Sequence, residues 1–220
     1  MLALEPWLER FTQFLRKTFG ERVWFAGLQG SYARGEATES SDIDLVVVLD
    51  ALTAEDIASY DAMLDSLDHR ELVCGFLSGK EELLHWEPSE LFQFCRDTIP
   101  LIGSLDKVLA LVKPGDIERA IRSSACGVYH ACVHNMLYEK DEGILRDLFK
   151  TATFTIRAAI YRRTGKYCSR LDELLHFLDA AENEIVQAYL TMKAGTPVDF
   201  AHASKMLFSW AKEMIVQKGS

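Results

Sequence analysis

The sequence has no excess of positive charge and no long uninterrupted apolar run. Its 220 residues include 24 lysines and arginines against 33 aspartates and glutamates, for a formal net charge of −9 at pH 7. A protein that mainly grips a nucleic acid backbone needs the opposite balance, so we expect no stable nucleic acid partner. No apolar segment approaches the roughly 20 residues that span a bilayer, so we expect no membrane partner.

The cysteines do not form the pattern of a disulfide framework. The five are Cys74, Cys95, Cys126, Cys132 and Cys168. Their number is odd, they contain no C-x-x-C pair, and four of them lie in largely apolar stretches. This pattern predicts reduced, buried thiols in a cytoplasmic protein. The first 17 residues are amphipathic and carry both acidic and basic side chains, which is not the pattern of a signal peptide.

What the sequence does contain is typical of a globular protein, with 49% hydrophobic and 26% charged residues. The charge is uneven, because residues 1–112 hold nine basic and 20 acidic side chains and the remainder holds 15 and 13. Lys113-Pro114-Gly115-Asp116 has the composition of a boundary. We therefore predict two domains, over residues 1–112 and 113–220.

The most informative stretch is a short apolar segment that ends in a Gly-Ser pair. Residues 22–28 are rich in β-branched and aromatic side chains and predict a buried strand. Gly30 then permits a tight turn, and Ser31 is a good helix N-cap. A helix N-terminus presents free N–H groups and a positive dipole end, which suit a phosphate. Arg34, about one turn further on, is placed to reach the same anion.

A second strand, predicted over residues 42–49, begins with two aspartates. Side chains two residues apart on a strand point the same way, so Asp42 and Asp44 project together from one face. Two carboxylates held this close repel each other unless a divalent cation lies between them. A lone Asp-x-Asp is usually just solvated. Its combination with the Gly-Ser turn predicts metal-assisted phosphoryl or nucleotidyl transfer.

The remaining pattern changes from mixed to helical along the chain. Apolar spacing predicts a helix over residues 5–18, and Thr53 and Asp56 predict a capped helix start. A further strand is predicted over residues 71–77, and residues 97–100 are predicted to form a turn. From residue 116 onward the spacing is helical throughout, which indicates an all-α bundle with short loops.

Polar residues of the predicted bundle have two interpretations. Arg122, His130 and His134 lie on one helix, and the histidine spacing suits a metal, but no third ligand accompanies them. We interpret them as interhelix or cleft residues. Three basic side chains share one face of the next helix: Arg146, Lys150 and Arg157. A solvated face is the favoured interpretation, and contact with a triphosphate is the alternative.

The elements Gly30-Ser31, Gly35 and Ser41-Asp42-Ile43-Asp44-Leu45 resemble the signature of the DNA polymerase β-like nucleotidyltransferase superfamily. Within this superfamily, the motif is similar to that of the minimal, aminoglycoside and lincosamide nucleotidyltransferases. The resemblance implies an α+β fold, with an N-terminal mixed β-sheet backed by helices and a C-terminal helical bundle. The bundle resembles that of kanamycin-type enzymes or a HEPN-like domain. The resemblance also implies two Mg²⁺ ions and a nucleoside triphosphate donor.

In such a site the resemblance implies that Asp42 and Asp44 bind the metals while Gly30, Ser31 and Arg34 bind the β- and γ-phosphates. Enzymes of this type also need a third carboxylate on a neighbouring strand, as a metal ligand or as the base. Glu71 resembles that residue in its setting at the start of a strand. A solvated glutamate is the alternative interpretation, and Asp68 is the competing residue.

The predicted reaction is transfer of a nucleoside monophosphate, AMP from ATP, to an acceptor hydroxyl with release of pyrophosphate. The expected acceptor is a small molecule such as an antibiotic, bound in the cleft between the domains. The alternatives are a protein AMP transferase of the antitoxin type and a non-catalytic, nucleotide-binding regulatory module. Bundles of this kind often pair, so a homodimer stays open.

Overall fold

The computed structural model of the protein describes residues 3–38 and 41–216. These residues form two compact units that divide between Val112 and Lys113. The first unit combines a sheet with helices and the second is helical, which confirms the predicted α+β class. Among the described helices, none combines the length and apolar character needed to cross a membrane.

A four-stranded mixed sheet forms the centre of the first unit. Its strands are β1 (Val23–Leu28), β2 (Ile43–Leu49), β3 (Val73–Gly79) and β4 (Ile99–Ile102), in the spatial order β3-β2-β1-β4. Strand β1 runs antiparallel to β2 and β4, whereas β2 and β3 are parallel. The turn predicted over residues 97–100 is therefore wrong in part, because Ile99 and Pro100 begin β4. Proline is tolerated there because β4 is an edge strand.

The helices of the first unit cover both faces of this sheet. They are α1 (Leu4–Phe19), α2 (Gly30–Ala33), α3 (Ala54–Leu64), α4 (Lys80–Leu84), α5 (Pro88–Arg96) and α6 (Asp106–Leu109). The helix predicted over residues 5–18 is confirmed, with one extra residue at each end. Thr53 caps α3, and the reciprocal bond from its backbone N–H to Asp56 completes the predicted cap.

Strand β2 is buried on both faces and separates two apolar cores. Ile43, Leu45, Val47 and Leu49 pack against α1 and the end of α3. Val46 and Val48 pack on the opposite face with side chains of α4, α5 and α6. Because successive side chains alternate across a strand, this pattern fixes the direction in which each residue of β2 points. Asp44 belongs to the same face as Val46 and Val48.

An ion pair joins the residue before β1 to the segment that follows β2. The guanidinium of Arg22 binds both carboxylate oxygens of Asp56 at 2.8 Å and donates to the carbonyl oxygen of Ala51 at 2.9 Å. Hydrogen bonds from Arg22 hold the pKa of the Asp56 carboxyl well below its ordinary range. The residue before β1 is thereby joined to the start of α3.

The second unit is a bundle of five helices with its own apolar core. They are α7 (Pro114–His134), α8 (Glu142–Thr164), α9 (Leu171–Leu174), α10 (Ala180–Lys193) and α11 (Phe200–Val216), and a π-helical turn, Asn135–Glu139, follows α7. Arg163 of α8 binds both oxygens of Glu182 on α10 at 2.6 Å. The predicted helical bundle is present, with boundaries within a few residues of the apolar pattern.

Burial differs from the prediction at two kinds of residue. Arg157 is only 2% exposed, and its guanidinium lies 4.9 Å from the ring centre of Phe154, so the solvated basic face does not include it. All five thiols are free, as predicted, but Cys74 and Cys126 are exposed and not buried. Burial raises the pKa of Cys95 to about 12 and that of Cys132 to about 11.

We expect Asp56→Asn to lower the unfolding temperature at pH 7, because it removes the charge that Arg22 contacts. Folding lowers the pKa of the Asp56 carboxyl, so this group stabilises the folded protein at pH values above the unfolded-state pKa of about 3.9. That stabilisation is lost as the pH falls through the folded-state pKa. The difference in unfolding temperature between the variant and the native protein should therefore shrink below about pH 4.

Thermal unfolding followed by circular dichroism at pH 7 and in steps below pH 5 measures this difference. Asp50→Asn is the matched control, since Asp50 contacts the same arginine through one oxygen and is 57% exposed. It should change the unfolding temperature less. Equal unfolding of native protein and Asp56→Asn at pH 7 would contradict the stabilising role.

Candidate active site

The helix after β1 begins two residues earlier than the sequence predicts, with its N-cap at Gln29 in place of Ser31. Gln29 is the N-cap of α2, with extended backbone angles (φ −120°, ψ −168°), and the helix starts at Gly30. Ser31 therefore lies in the first helical turn and is not the cap. The predicted strand–turn–helix order is nevertheless present, so the first backbone N–H groups of α2 follow directly on β1.

Gly30 lies in direct contact with the carboxylate of Asp44. Its φ of +70° is in the left-handed region, which glycine adopts without strain. A Cβ at this position would lie 1.7 Å from Oδ2 of Asp44, so any side chain here would displace the carboxylate or the turn. The backbone N–H of Gln29 donates to the carbonyl oxygen of Asp44 at 2.7 Å. The turn and the acidic strand are thus joined at one point.

The two aspartates lie at the start of β2, and the strand alternation places Asp44 on the face of Val46 and Val48. Asp44 is the second residue of the strand and is partly buried, while Asp42 immediately precedes the strand and is exposed. Both precede the point where Val46 enters the apolar core on this face. The Asp44 carboxylate therefore lies beyond the core, at the edge next to the Gly30 turn.

This donor set fits Mg²⁺. Magnesium prefers oxygen ligands and is usually held by one or two carboxylates, with water and substrate phosphates completing its shell. Asp42 and Asp44 supply the carboxylates, and the missing Cβ of Gly30 leaves space beside one of them. Within residues 3–38 and 41–216, no group of three or more metal-binding side chains is present. The protein thus offers two carboxylate ligands here.

The pairing of β2 with β3 places Cys74, and not Glu71, beside Asp44. Glu71 lies three residues earlier, in a short 3₁₀ turn, where its carboxylate is 72% exposed and 3.6 Å from the ring of His69. The carboxylate of Asp68 binds Arg10 at 2.7 Å. Neither acid is brought to Asp44 by the strand register. The position of Cys74 was missed from sequence because register cannot be deduced from one strand's composition.

Arg34 already has an acidic neighbour in the same loop. Its Nε lies 3.3 Å from Oε2 of Glu36, and the two side chains are only 10% and 17% exposed. The backbone N–H of Glu36 donates to the carbonyl oxygen of Ser31 at 2.9 Å, which closes the loop after α2. The guanidinium is thus held close to the turn by a carboxylate.

The polar residues singled out in the bundle belong to the second unit and lie on exposed helix surfaces. Arg122, His130 and His134 are exposed on α7, and the ring of His134 contacts that of Tyr138 at 4.9 Å between centres. Arg146 and Lys150 are exposed on α8. The exposure of Arg146 and Lys150 agrees with the solvated face favoured for them, whereas the exposure of the three α7 residues does not fit an interhelix position.

Comparison with known proteins identifies the first unit. Residues 8–97 match the sequence family of the nucleotidyltransferase domain. The segment contains the Gly30 turn, both aspartates, Glu71 and the first three strands. No curated protein sequence matches the chain.

A solved structure has the same fold along almost the whole chain. It is the spectinomycin adenyltransferase AAD(9) from Enterococcus faecialis, crystallised with ATP and spectinomycin. The likeness covers 96% of this chain and 99% of that one, with a TM-score of 0.61 and 14% sequence identity. At this identity the likeness concerns the fold, including the succession of a mixed sheet and a helical bundle.

We expect Gly30→Ala to disrupt the aspartate pair. The added methyl group must displace either the turn or the Asp44 carboxylate, so binding of Mn²⁺, used as a spectroscopic substitute for Mg²⁺, should be lost. Gly35→Ala is the matched control, because Gly35 has a similar φ of +68° with open space around its Cβ position. It should cost about 1–2 kcal/mol of backbone strain and leave metal binding intact. Equal Mn²⁺ affinity in both variants would contradict the proposed contact.

Proposed function

We propose that the chain, whose residues 8–97 match the nucleotidyltransferase domain, transfers AMP from ATP to a hydroxyl group of a small molecule, such as an antibiotic, in a Mg²⁺-dependent reaction. The observation that carries the proposal is the contact between Gly30 and the Asp44 carboxylate. It joins a turn suited to phosphate and a pair of carboxylates suited to a metal at one edge of the sheet.

Each part of this edge has a role in the proposal. The first N–H groups of α2 and the Ser31 hydroxyl bind the β- and γ-phosphates, and Arg34 contributes positive charge to the same group. Asp42 and Asp44 hold Mg²⁺. Bound there, the metal would stabilise negative charge on the attacking and leaving oxygens. The protein itself contributes positioning and electrostatic complementarity.

The covalent change replaces one phosphoanhydride bond of ATP with one phosphoester bond to the acceptor. The acceptor oxygen forms a bond to the α-phosphorus as the bond from that phosphorus to the bridging oxygen breaks, and pyrophosphate leaves with its electron pair. The acceptor's proton passes to a base, which in this proposal is Glu71. Its carboxylate is exposed next to β3 and lies 3.6 Å from the ring of His69. Glu71→Gln should therefore slow transfer while leaving ATP binding unchanged.

The nature of the donor and acceptor is supported by the structural neighbour. That spectinomycin adenyltransferase was crystallised with ATP and spectinomycin, and its chain corresponds to this one over nearly its full length. A shared two-part architecture supports a similar division of labour. We therefore propose ATP as the donor and a hydroxyl-bearing antibiotic as the acceptor.

A non-catalytic nucleotide-binding module is the second candidate. It is favoured by the register of β3, which places the thiol of Cys74 beside Asp44 where a further carboxylate would complete an acidic triad. Such a module would bind ATP and Mg²⁺ without releasing pyrophosphate. A protein AMP transferase would instead release pyrophosphate only with a macromolecular acceptor.

We expect Asp42→Asn and Asp44→Asn each to reduce pyrophosphate release by at least about 100-fold, since each removes charge from the metal site. The assay supplies ATP, GTP, CTP or UTP with Mg²⁺ and a panel of aminoglycosides, spectinomycin and lincosamides, or cell lysate. Asp106→Asn is the matched control, because Asp106 follows a second Gly-Ser pair but is exposed on α6. It should retain native activity.

The outcomes separate the candidates. Release with one drug and one nucleotide supports the antibiotic-modifying enzyme and identifies its donor. Release only with lysate supports a protein or metabolite acceptor. Binding of ATP with no release under any condition supports the regulatory module. Full activity in Asp42→Asn or Asp44→Asn would overturn the proposed metal site.

We also expect MgATP to protect Cys74 from alkylation. The thiol is exposed and paired in register with Asp44, so nucleotide and metal at that edge should cover it. Cys126, an exposed thiol on α7 of the other unit, is the internal control and should react at the same rate with and without MgATP. Peptide mass spectrometry after brief iodoacetamide treatment measures both rates. Equal labelling of Cys74 with and without MgATP would place the nucleotide elsewhere.

A further inference from the structure

Gln29 joins the turn of the proposed phosphate site to two other parts of the first unit. Its backbone N–H donates to the carbonyl oxygen of Asp44, and its side-chain Nε2 donates to the carbonyl oxygen of Phe94 at 3.0 Å and to Oγ1 of Thr98 at 2.6 Å. Both amide protons are therefore used. The residue before Gly30 is held by β2 on one side and by the end of α5 on the other.

The partners of the Gln29 side chain are themselves fixed. Thr98 is only 7% exposed, and its hydroxyl donates to the carbonyl oxygen of Phe94 at 2.5 Å. Its methyl group packs on β1 so closely that a Cβ at Gly27 would lie 2.5 Å from it. Strand β4 begins at the next residue and pairs Ile99 with Leu28. The anchor for Gln29 is thus part of the sheet and its core.

The short helix α2 depends on such an anchor. It contains four residues, and its N-cap makes no side-chain hydrogen bond to the helix. A helix this short gains little stability from its own hydrogen bonds. Its position relative to Asp44 must therefore come from neighbouring structure, and the three hydrogen bonds of Gln29 supply it directly before Gly30.

We propose that Gln29 is a positioning residue for the nucleotide: it holds the Gly30-Ser31 turn against Asp44 by binding Phe94 and Thr98. Glutamine is suited to this place because a carbonyl oxygen can only accept, so the group that faces Phe94 must carry an N–H. Glutamate has the same shape, but its carboxylate would face that carbonyl with no proton to donate. Methionine has a similar length and no donor.

The first test is kinetic and rests on the proposed function. In Gln29→Met the KM for ATP should rise about ten-fold, as expected for losing hydrogen bonds that position the turn, with a smaller change in kcat. Gln29→Glu should raise it further. Gln187→Met, at an exposed position of α10, is the matched control and should match the native enzyme. A role limited to overall stability would lower the unfolding temperature and the active fraction without raising KM.

The second test does not depend on activity. Hydrogen exchange of peptides covering residues 28–38 should be about ten-fold faster in Gln29→Met, because the amides of Arg34 and Glu36 bond within this turn. Thr98→Val, which removes the hydroxyl and keeps the shape, should act in the same direction. Thr98→Ser, which keeps the hydroxyl, should restore slow exchange and the native KM.

A double-mutant cycle completes the argument. Gln29→Met and Thr98→Val remove the same hydrogen bond, so their combined effect on KM or exchange should be smaller than the product of the two single effects. Native exchange and native KM in both single variants would overturn the proposal. If the native protein is inactive, the proposed function is contradicted. Fast exchange in Gln29→Met and Thr98→Val would still support the positioning role.

Discussion

The contact between the Gly30 backbone and the Asp44 carboxylate is the constraint on which the rest of the site depends. The missing side chain at position 30 lets the turn approach a charged group to a distance that any Cβ would forbid. Strand β2 can present Asp44 there because both of its faces are buried beyond that point, which holds the strand rigidly. A short helix start and an acidic strand end are thereby brought to one edge of a sheet.

Much of this arrangement is local in sequence, and that part could be predicted. The strand before Gly30, the strand after Asp42 and the alternation that puts Asp42 and Asp44 on one face follow from backbone geometry and side-chain pattern. The capped start of α3 at Thr53 is also local, since its hydrogen bonds span three residues. The helical bundle follows from apolar spacing.

The remaining features depend on contacts between distant segments. Neither the pairing of Asp44 with Cys74 nor the bond from Gln29 to Phe94 has a signal in the neighbouring residues, because both depend on strand register and helix docking. The same reason explains Arg157, whose charge suggested a surface position although its side chain is buried in the bundle. The short strand β4 was missed because its proline is typical of a turn.

The hydrogen bonds of Gln29 also bear on the order in which the protein acquires its structure. The motif from Gly30 to Asp44 is compact in sequence, but the side chain that holds its first residue is bonded to groups 65 and 69 residues further along the chain. During synthesis from the N-terminus, the turn cannot reach its final position until α5 and β4 have emerged and docked on β1. Contacts of this sequence separation raise the contact order of a domain, which is associated with slower folding. The segment that carries the signature thus needs residues as distant as Thr98 to complete its own hydrogen bonds.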